Sequence, residues 1–340
     1  MRSPPDAEAV IDQLRHAVEF ATDPQNGPDP GDPAAWQEAQ AALALPLAEA
    51  AAALGRLDAT LATLDPAAAH GAVTRLALAE TEAMLWAGGT VLPREEIGRD
   101  ALDARAASDP EAMRLARWAL RRLEGQGALT DLPAFLGLHR SAGTEPGAGG
   151  RLRGPDFAQG AADYRARIAA AAELHPLVRG CLAGLLWRQA GLSPPDRVIE
   201  PAVYAGRLMA QGCERLLFAP LGAAGRRVWT AGGAVEDRLA GHLAAISVGV
   251  RAGRDEIRRL ETWAAGARRA TGGIRGPNAG RVIAVLAARP LVSAEDVAAG
   301  AGISRMTAER MLNRMTAMGV IREITGASRF RLWRANPAAT

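Results

Sequence analysis

The chain has 340 residues, of which 49% are hydrophobic and 23% are charged, and its 40 basic residues are all arginine. A chain of this length holds two or three domains with a large buried core. It has no apolar run of about 18 residues and no apolar segment near its start, so we expect neither a membrane span nor a secretory signal. Cys181 and Cys213 are isolated, which argues against a disulfide framework or a zinc site and favours a reducing cytoplasm.

The first 270 residues are predicted to be almost wholly helical. Ala7–Ala21 forms a short helix, and a linker rich in proline, glycine and aspartate follows over Asp23–Pro33. Helical periodicity then predicts helices at 36–64, 66–87, 94–106, 109–125, 131–140, 156–172, 176–190, 200–216, 235–248 and 251–270. No useful strand alternation occurs in this region, so we expect an all-α body.

The segment 276–334 has a different pattern. Gly280–Arg289 is a short amphipathic helix, Ser293 begins a second helix, and Ser304 begins a third that ends at Gly319. The alternating runs VIREIT and RFRLW follow and predict a β-hairpin. Helix, helix, glycine turn, helix and hairpin is the order that a winged helix-turn-helix requires. The predicted fold class is therefore all-α with one small β-hairpin.

The third helix of this segment has an inward and an outward face. The residues expected to pack inward, at helical spacing, are Ala308, Met311, Leu312, Met315 and Met318. The residues expected to contact DNA, from the helix and the following hairpin, are Ser304, Arg305, Met306, Thr307, Arg310, Arg314, Arg329 and Arg331. In a helix-turn-helix this part of the helix enters the major groove, where arginine contacts guanine edges or phosphates. Winged helices also act as protein-docking or dimerisation modules, and that alternative stays open.

The charge of the chain is divided unevenly. Arg251 to Thr340 holds 16 arginines against 7 acids, a net charge of +9, whereas residues 1–250 hold 24 arginines against 30 acids, a net charge of −6. Arginine clustered at one end of a chain is typical of a protein that binds a polyanion. Much of this arginine lies in Arg251–Arg269, which is alternatively a solvated helix face.

Several segments, in the right order, resemble the Fic family in a form that carries a C-terminal winged helix. They are LTDLPAFLGLHR (129–140), EPGAGGRLRGPDF (145–157), HPLVRGCLAGLLWRQAG (175–191), GRLM (206–209) and the whole of 276–334. The resemblance implies a helical body. In active members of the family that body transfers AMP, or another phosphate-containing group, to a protein.

The family's motif, His-Pro-Phe-x-Asp/Glu-Gly-Asn-Gly-Arg, is not present. One alignment places it at His175–Gly180, where only the histidine and one glycine remain. A better alignment places its remnant at Leu192–Tyr204, with Glu200 as the metal-binding acid and Arg207 as the later arginine. The second alignment has no histidine to act as the general base. Loss of a general base costs a factor of about 10²–10⁴ in rate, so the resemblance implies an inactive body.

We therefore divide the chain into four parts: an N-terminal helix and flexible linker (1–33), a degenerate Fic-like helical domain (34–250), a connecting helix (251–275) and a DNA-binding winged helix-turn-helix (276–340). The hypothesis is a cytoplasmic transcriptional or plasmid-associated regulator that binds double-stranded DNA and needs no metal or other cofactor. A homodimer and a nucleotide effector stay open. The alternatives are a Fic-type nucleotidyl- or phosphoryl-transferase with a drifted loop, and a protein-docking module.

Overall fold

Helices form nearly all of the regular structure in the computed structural model, which describes residues 29–102, 109–138, 151–326 and 331–337. The helices of the body are α1 (Pro33–Ala42), α2 (Ala44–Ala62), α3 (Pro66–Ala87), α4 (Arg94–Asp100), α5 (Pro110–Leu123), α6 (Leu132–Leu136), α7 (Gly154–Ala170), α8 (Pro176–Gln189), α9 (Ile199–Met209) and α10 (Gly225–Val228). The predicted helix at 7–21 and the loop at 143–150 lie outside the described residues. Within the described part of the chain, no helix is both long and apolar enough to cross a membrane.

Proline marks the start of four of these helices. Asp32, Asp65, Asp109 and His175 each precede the first proline of a helix, and each accepts a hydrogen bond on its side chain from a backbone N–H of the first turn. Proline at this position loses no helical hydrogen bond, and the preceding side chain satisfies an N–H that has no other partner. The sequence pattern therefore fixes where these helices begin.

The body has its own core, which contains a cluster of aromatic rings. Phe135, Tyr164, Trp187 and Tyr204 meet mostly edge to face, with ring centroids 5.1–6.4 Å apart. All four side chains are buried. They come from α6, α7, α8 and α9, so the cluster joins the helices that flank the candidate Fic loop.

Helix α11 (Val235–Ala270) is one helix of 36 residues. The expectation of two helices, with a separate connecting helix beginning at 251, is wrong, because the apolar positions continue without a break through that point. Ile246 belongs to the core of the body, and Trp263 belongs to a second core in the C-terminal domain. The indole of Trp263 donates to the carbonyl of Val320 (2.7 Å). The second core therefore begins before residue 276.

The C-terminal domain contains α12 (Asn278–Ala288), β1 (Val292–Ser293), α13 (Ala294–Ala301), α14 (Arg305–Ala317), β2 (Ile321–Glu323) and β3 (Leu332–Ala335). The strands form an antiparallel sheet in the order β1-β3-β2. The all-α class with a small hairpin is confirmed. β1 is an additional strand, and its two residues are too few to show an alternating pattern in the sequence. On α14, Ala308, Leu312 and Met315 are buried as expected, but Met318 is 40% exposed because the helix has already ended at Ala317.

The C-terminal domain packs against α3 and α4 of the body. Arg75 donates hydrogen bonds to the carbonyls of Leu286 (3.0 Å), Ala287 (2.8 Å) and Arg289 (2.7 Å) at the end of α12. A Cβ on Gly71 would lie 2.0 Å from the carbonyl oxygen of Ala288, so only glycine permits this approach. These contacts hold the end of α12 directly on the surface of α3.

Candidate functional site

The outward face of α14 projects from the C-terminal domain into solvent. Ser304 accepts a hydrogen bond from the backbone N–H of Thr307 (3.2 Å) and so caps the helix. Met306, Arg310 and Asn313 follow one another at helical spacing, and all three are exposed. Met306 is 76% exposed, which is a large exposure for an apolar side chain. The face is preceded by the turn at Gly302, whose φ of +63° suits glycine.

The arginines of α14 differ in what they contact. Arg305 forms an ion pair with Glu309 on the next turn (3.2 Å). Among the described residues, neither Arg310 nor Arg314 has an acidic partner. Both are exposed. Of the arginines predicted to contact DNA from this helix, Arg310 and Arg314 are therefore the two that form no ion pair with the described residues.

The side chain of Arg331, on the predicted wing, is fixed against α14. Its Nη1 donates to Oδ1 of Asn313 (2.9 Å), its Nε lies 3.6 Å from a carboxylate oxygen of Glu323, and its guanidinium lies over the ring of Trp333 at 4.8 Å. The other predicted wing contact, Arg329, lies outside the described residues. Arg331 thus links the hairpin to the exposed face of α14.

Asn313 is a residue of this face that the sequence analysis did not single out. It lies three residues after Arg310 and seven after Met306, which puts all three on one side of a helix. An asparagine amide can pair with an adenine edge in the major groove. Helical spacing from Arg310 was the signal that would have identified it.

In the body, Glu200 is the centre of a buried hydrogen-bond network. Both of its carboxylate oxygens accept from Nη2 of Arg151 (2.7 Å each), and the hydroxyl of Ser193 donates to the same carboxylate. Trp187 donates to the oxygen of Ser193 (2.7 Å). Glu200 is 5% exposed. Its oxygens therefore accept three hydrogen bonds from protein donors, which uses most of the lone pairs of the carboxylate.

Arg207, the second residue predicted to remain from the Fic loop, also has partners within the body. It donates to the carbonyls of Gly125 (3.2 Å), Gln126 (3.0 Å) and Gly127 (2.6 Å). These carbonyls belong to the turn that follows α5. Burial, with a smaller contribution from the charge of Arg122, lowers the pKa of Arg207. The arginine holds a turn in place rather than facing an open site.

His175 lies far from the hydrogen-bond network of Glu200. It precedes the first residue of α8, and its Nδ1 accepts from the backbone N–H of Leu177 (3.2 Å). Glu200 lies near the other end of α8, because Ser193 links it to Trp187. A helix of 14 residues is about 21 Å long, so His175 cannot act together with Glu200 on one substrate.

A cleft of about 210 Å³ lies between the end of α3, the start of α5 and the segment that precedes α9. Its lining includes three carboxylates, Asp109, Glu111 and Asp196, and one arginine, Arg197, which pairs with Glu111 (2.8 Å). The net charge of this lining is negative. A nucleotide's phosphates would be repelled here. Within the described residues, no group of three or more histidines, cysteines and acids is placed to hold a metal ion.

Another buried carboxylate of the body, Glu80 on α3, binds backbone amides. It accepts from the N–H groups of Leu221 (3.0 Å) and Gly222 (2.6 Å). Burial raises the pKa of Glu80 to about 7, against the opposing effect of these hydrogen bonds. This carboxyl group holds the start of a 3₁₀ turn at Gly222–Ala224.

Comparison with known proteins gives similarity to solved structures only. No protein-family profile and no curated protein matches the chain. Among the solved structures, a Fic family protein from Desulfovibrio desulfuricans G20 is 17% identical and overlaps 87% of this chain and 96% of its own, with a TM-score of 0.49. A similarity at this level assigns neither fold nor activity, so the Fic-like body remains a hypothesis drawn from the sequence segments.

Proposed function

We propose that the protein is a DNA-binding regulator whose winged helix-turn-helix reads double-stranded DNA through the outward face of α14. The observation that carries this proposal is the exposed row Met306, Arg310 and Asn313, beside an Arg314 that also has no acidic partner in the described chain. Side chains of these types match the base edges and phosphates of a major groove.

Two further features support a polyanion as the partner. The chain after residue 250 has a net charge of +9 whereas the rest has −6. The exposed face of α14 also adjoins the hairpin, because Arg331 bonds Asn313. A duplex bound to α14 would therefore contact the hairpin as well, as expected when a winged helix binds DNA.

The body is proposed to be Fic-like in fold and inactive as a transferase. Glu200 and Arg207, the two groups that the resemblance assigns to the candidate loop, are bonded to the protein itself. His175 caps the start of α8, at the end of that helix away from Glu200. It is therefore out of reach of Glu200 and cannot serve as the general base beside it. A transferase with a drifted loop is the alternative, and incorporation of labelled ATP into a partner protein would support it.

The test is binding of the full chain to a fluorescent duplex of random sequence, measured by anisotropy. We expect wild type to bind and the double variant Arg310→Ala/Arg314→Ala to bind at least about tenfold more weakly. The matched control, Arg215→Ala/Arg227→Ala, removes the same charge from two exposed residues of the body. It should bind like wild type.

Equal weakening in the two double variants would contradict the proposal, because net charge alone would then explain the binding. Absence of DNA binding, together with label transferred from ATP to a protein in a lysate, would favour the transferase. Absence of both, with wild type folded, would favour a docking module.

A further inference from the structure

A small cavity that opens at the surface of the body is lined by basic side chains and lies apart from α14. It is bordered by α8, α9, α11 and the segment around Trp229, and it leaves about 30 Å³ of free space. Arg188 on α8 lines it and is exposed, and Arg238 and His242 on α11 line it and are half-buried. The remaining lining residues of α1, α8 and α9 are uncharged.

The two guanidinium groups lack a counter-charge within the described parts of the chain. Neither arginine forms an ion pair there. Burial is the larger cause of the lowered pKa of Arg188, and the charge of Arg238 lowers it further, which shows that the two cations repel each other. Like charges close together repel each other, and an opposite charge bound between them relieves that repulsion.

Backbone carbonyls fix the direction of both arginines without using all of their donors. Arg188 donates from Nη1 to the carbonyl of Trp229 (2.7 Å). Arg238 donates from Nε to Gly233 (3.0 Å) and from Nη1 to Ala231 (2.9 Å). Each guanidinium has five N–H donors. Donors therefore remain for a ligand, and the carbonyl contacts restrict where they point.

His242 adds a third polar group to the cavity. Its Nδ1 lies 2.8 Å from the carbonyl oxygen of Arg238, so Nδ1 carries the proton and donates. Burial is the main cause of the lowered pKa of His242, and the charges of Arg188 and Arg238 contribute. The ring is therefore neutral near neutral pH, and its Nε2 can accept from the hydroxyl of a protonated oxyanion.

We propose that this cavity is a binding site for inorganic phosphate, held by Arg188 and Arg238 with His242 as a third contact. The free space of about 30 Å³ suits a small ligand. A compact tetrahedral anion matches this space and the three polar groups better than a bulkier phosphate ester does. The site is independent of the proposed DNA-binding function.

The experiment is isothermal titration calorimetry of the full chain with inorganic phosphate, at an ionic strength held constant with sodium chloride. We expect saturable binding at one site per chain. Arg188→Gln and Arg238→Gln should each weaken it about tenfold or more, because each removes a charge-assisted contact. Arg227→Gln, on an exposed arginine outside the cavity, is the matched control and should bind like wild type.

Further variants and ligands keep the test decisive. If an arginine variant fails to fold, Ala202→Leu fills the cavity while leaving both arginines in place, and it should also abolish binding. Glycerol phosphate should bind more weakly than the free ion. The proposal is overturned by absence of saturable binding to wild type, by equal binding of all variants, or by tighter binding of glycerol phosphate.

Discussion

The candidate Fic loop and the outward face of α14 both carry charged residues, but they use them differently. Around the loop, Glu200 is bonded by Arg151 and Ser193, and Arg207 is bonded by three carbonyls. On α14, Arg310 has no acidic partner among the described residues. The buried charges of the body hold its own fold, whereas the exposed charge of α14 is available to a ligand.

This difference teaches that a charged residue at a motif position is not by itself a functional residue. Glu200 occupies the place of the family's metal-binding acid in the sequence alignment, yet its oxygens are taken by protein donors. A carboxylate in that state stabilises the buried guanidinium beside it, which is a structural role.

The largest expected effect comes from breaking the pair in the body. Glu200→Gln leaves the guanidinium of Arg151, whose side chain is 11% exposed, without its opposite charge. We expect a loss of about 3–5 kcal/mol in the free energy of unfolding, as for other broken buried pairs. Urea denaturation followed by circular dichroism measures it.

The matched control is Asp255→Asn, which breaks a pair on α11 whose side chains are 67% and 44% exposed. It should change the free energy of unfolding by no more than about 0.5 kcal/mol. Similar effects of the two substitutions would mean that the Glu200 network is not what holds the loop.

A second prediction concerns the buried Glu80. Its pKa is about 7 in the folded chain and ordinarily 4.5. The protonated carboxyl of Glu80 therefore adds to the free energy of unfolding. This contribution is fully present below the ordinary pKa and is lost as the pH rises through about 7. Wild type should therefore be less stable at about pH 8 than at about pH 5, by about 1–3 kcal/mol more than Glu80→Gln.

The measurement is urea unfolding of both proteins at the two pH values. Glu173→Gln, an exposed glutamate, is the control and should follow wild type. If Glu80→Gln shows the same pH dependence as wild type, the carboxyl of Glu80 is not the titrating group.

A third prediction ranks two arginines of α14. Both Arg305 and Arg310 are predicted from the sequence to contact DNA, but Arg305 is paired with Glu309 and Arg310 is not paired within the described chain. Arg310→Ala should cost about 1–3 kcal/mol of DNA affinity, and Arg305→Ala less than about 1 kcal/mol. Fluorescence anisotropy with one duplex decides the order, and a larger loss for Arg305→Ala would reverse it.

Much of the fold could be predicted from sequence because local signals set the helix limits. The aspartate-proline pairs begin α1, α3 and α5, and Ser293 and Ser304 begin α13 and α14. The continuity of α11 could not be predicted in the same way. Its middle turns carry charge on the outside while Val250 and Gly253 pack inside, so the change of composition at residue 251 did not mark an end.

The site was predicted less completely, because side-chain partners come from distant parts of the chain. Arg151 and Glu200 are 49 residues apart, and Arg331 and Asn313 are 18 apart. The exposed face of α14 followed from helical spacing alone. Contacts that no local pattern indicates decide which arginines of α14 have an acidic partner. Such contacts also bond Glu200 within the body.

The salt dependence of DNA binding tests the central claim most directly. Anisotropy of the full chain with a duplex, over a series of sodium chloride concentrations, gives the slope of log affinity against log salt. About five phosphate contacts predict a slope near −4 to −5, and Arg314→Ala should reduce its magnitude by about 1 if that residue contacts a phosphate. A flat response, or no binding at low salt, would contradict the claim that α14 binds DNA.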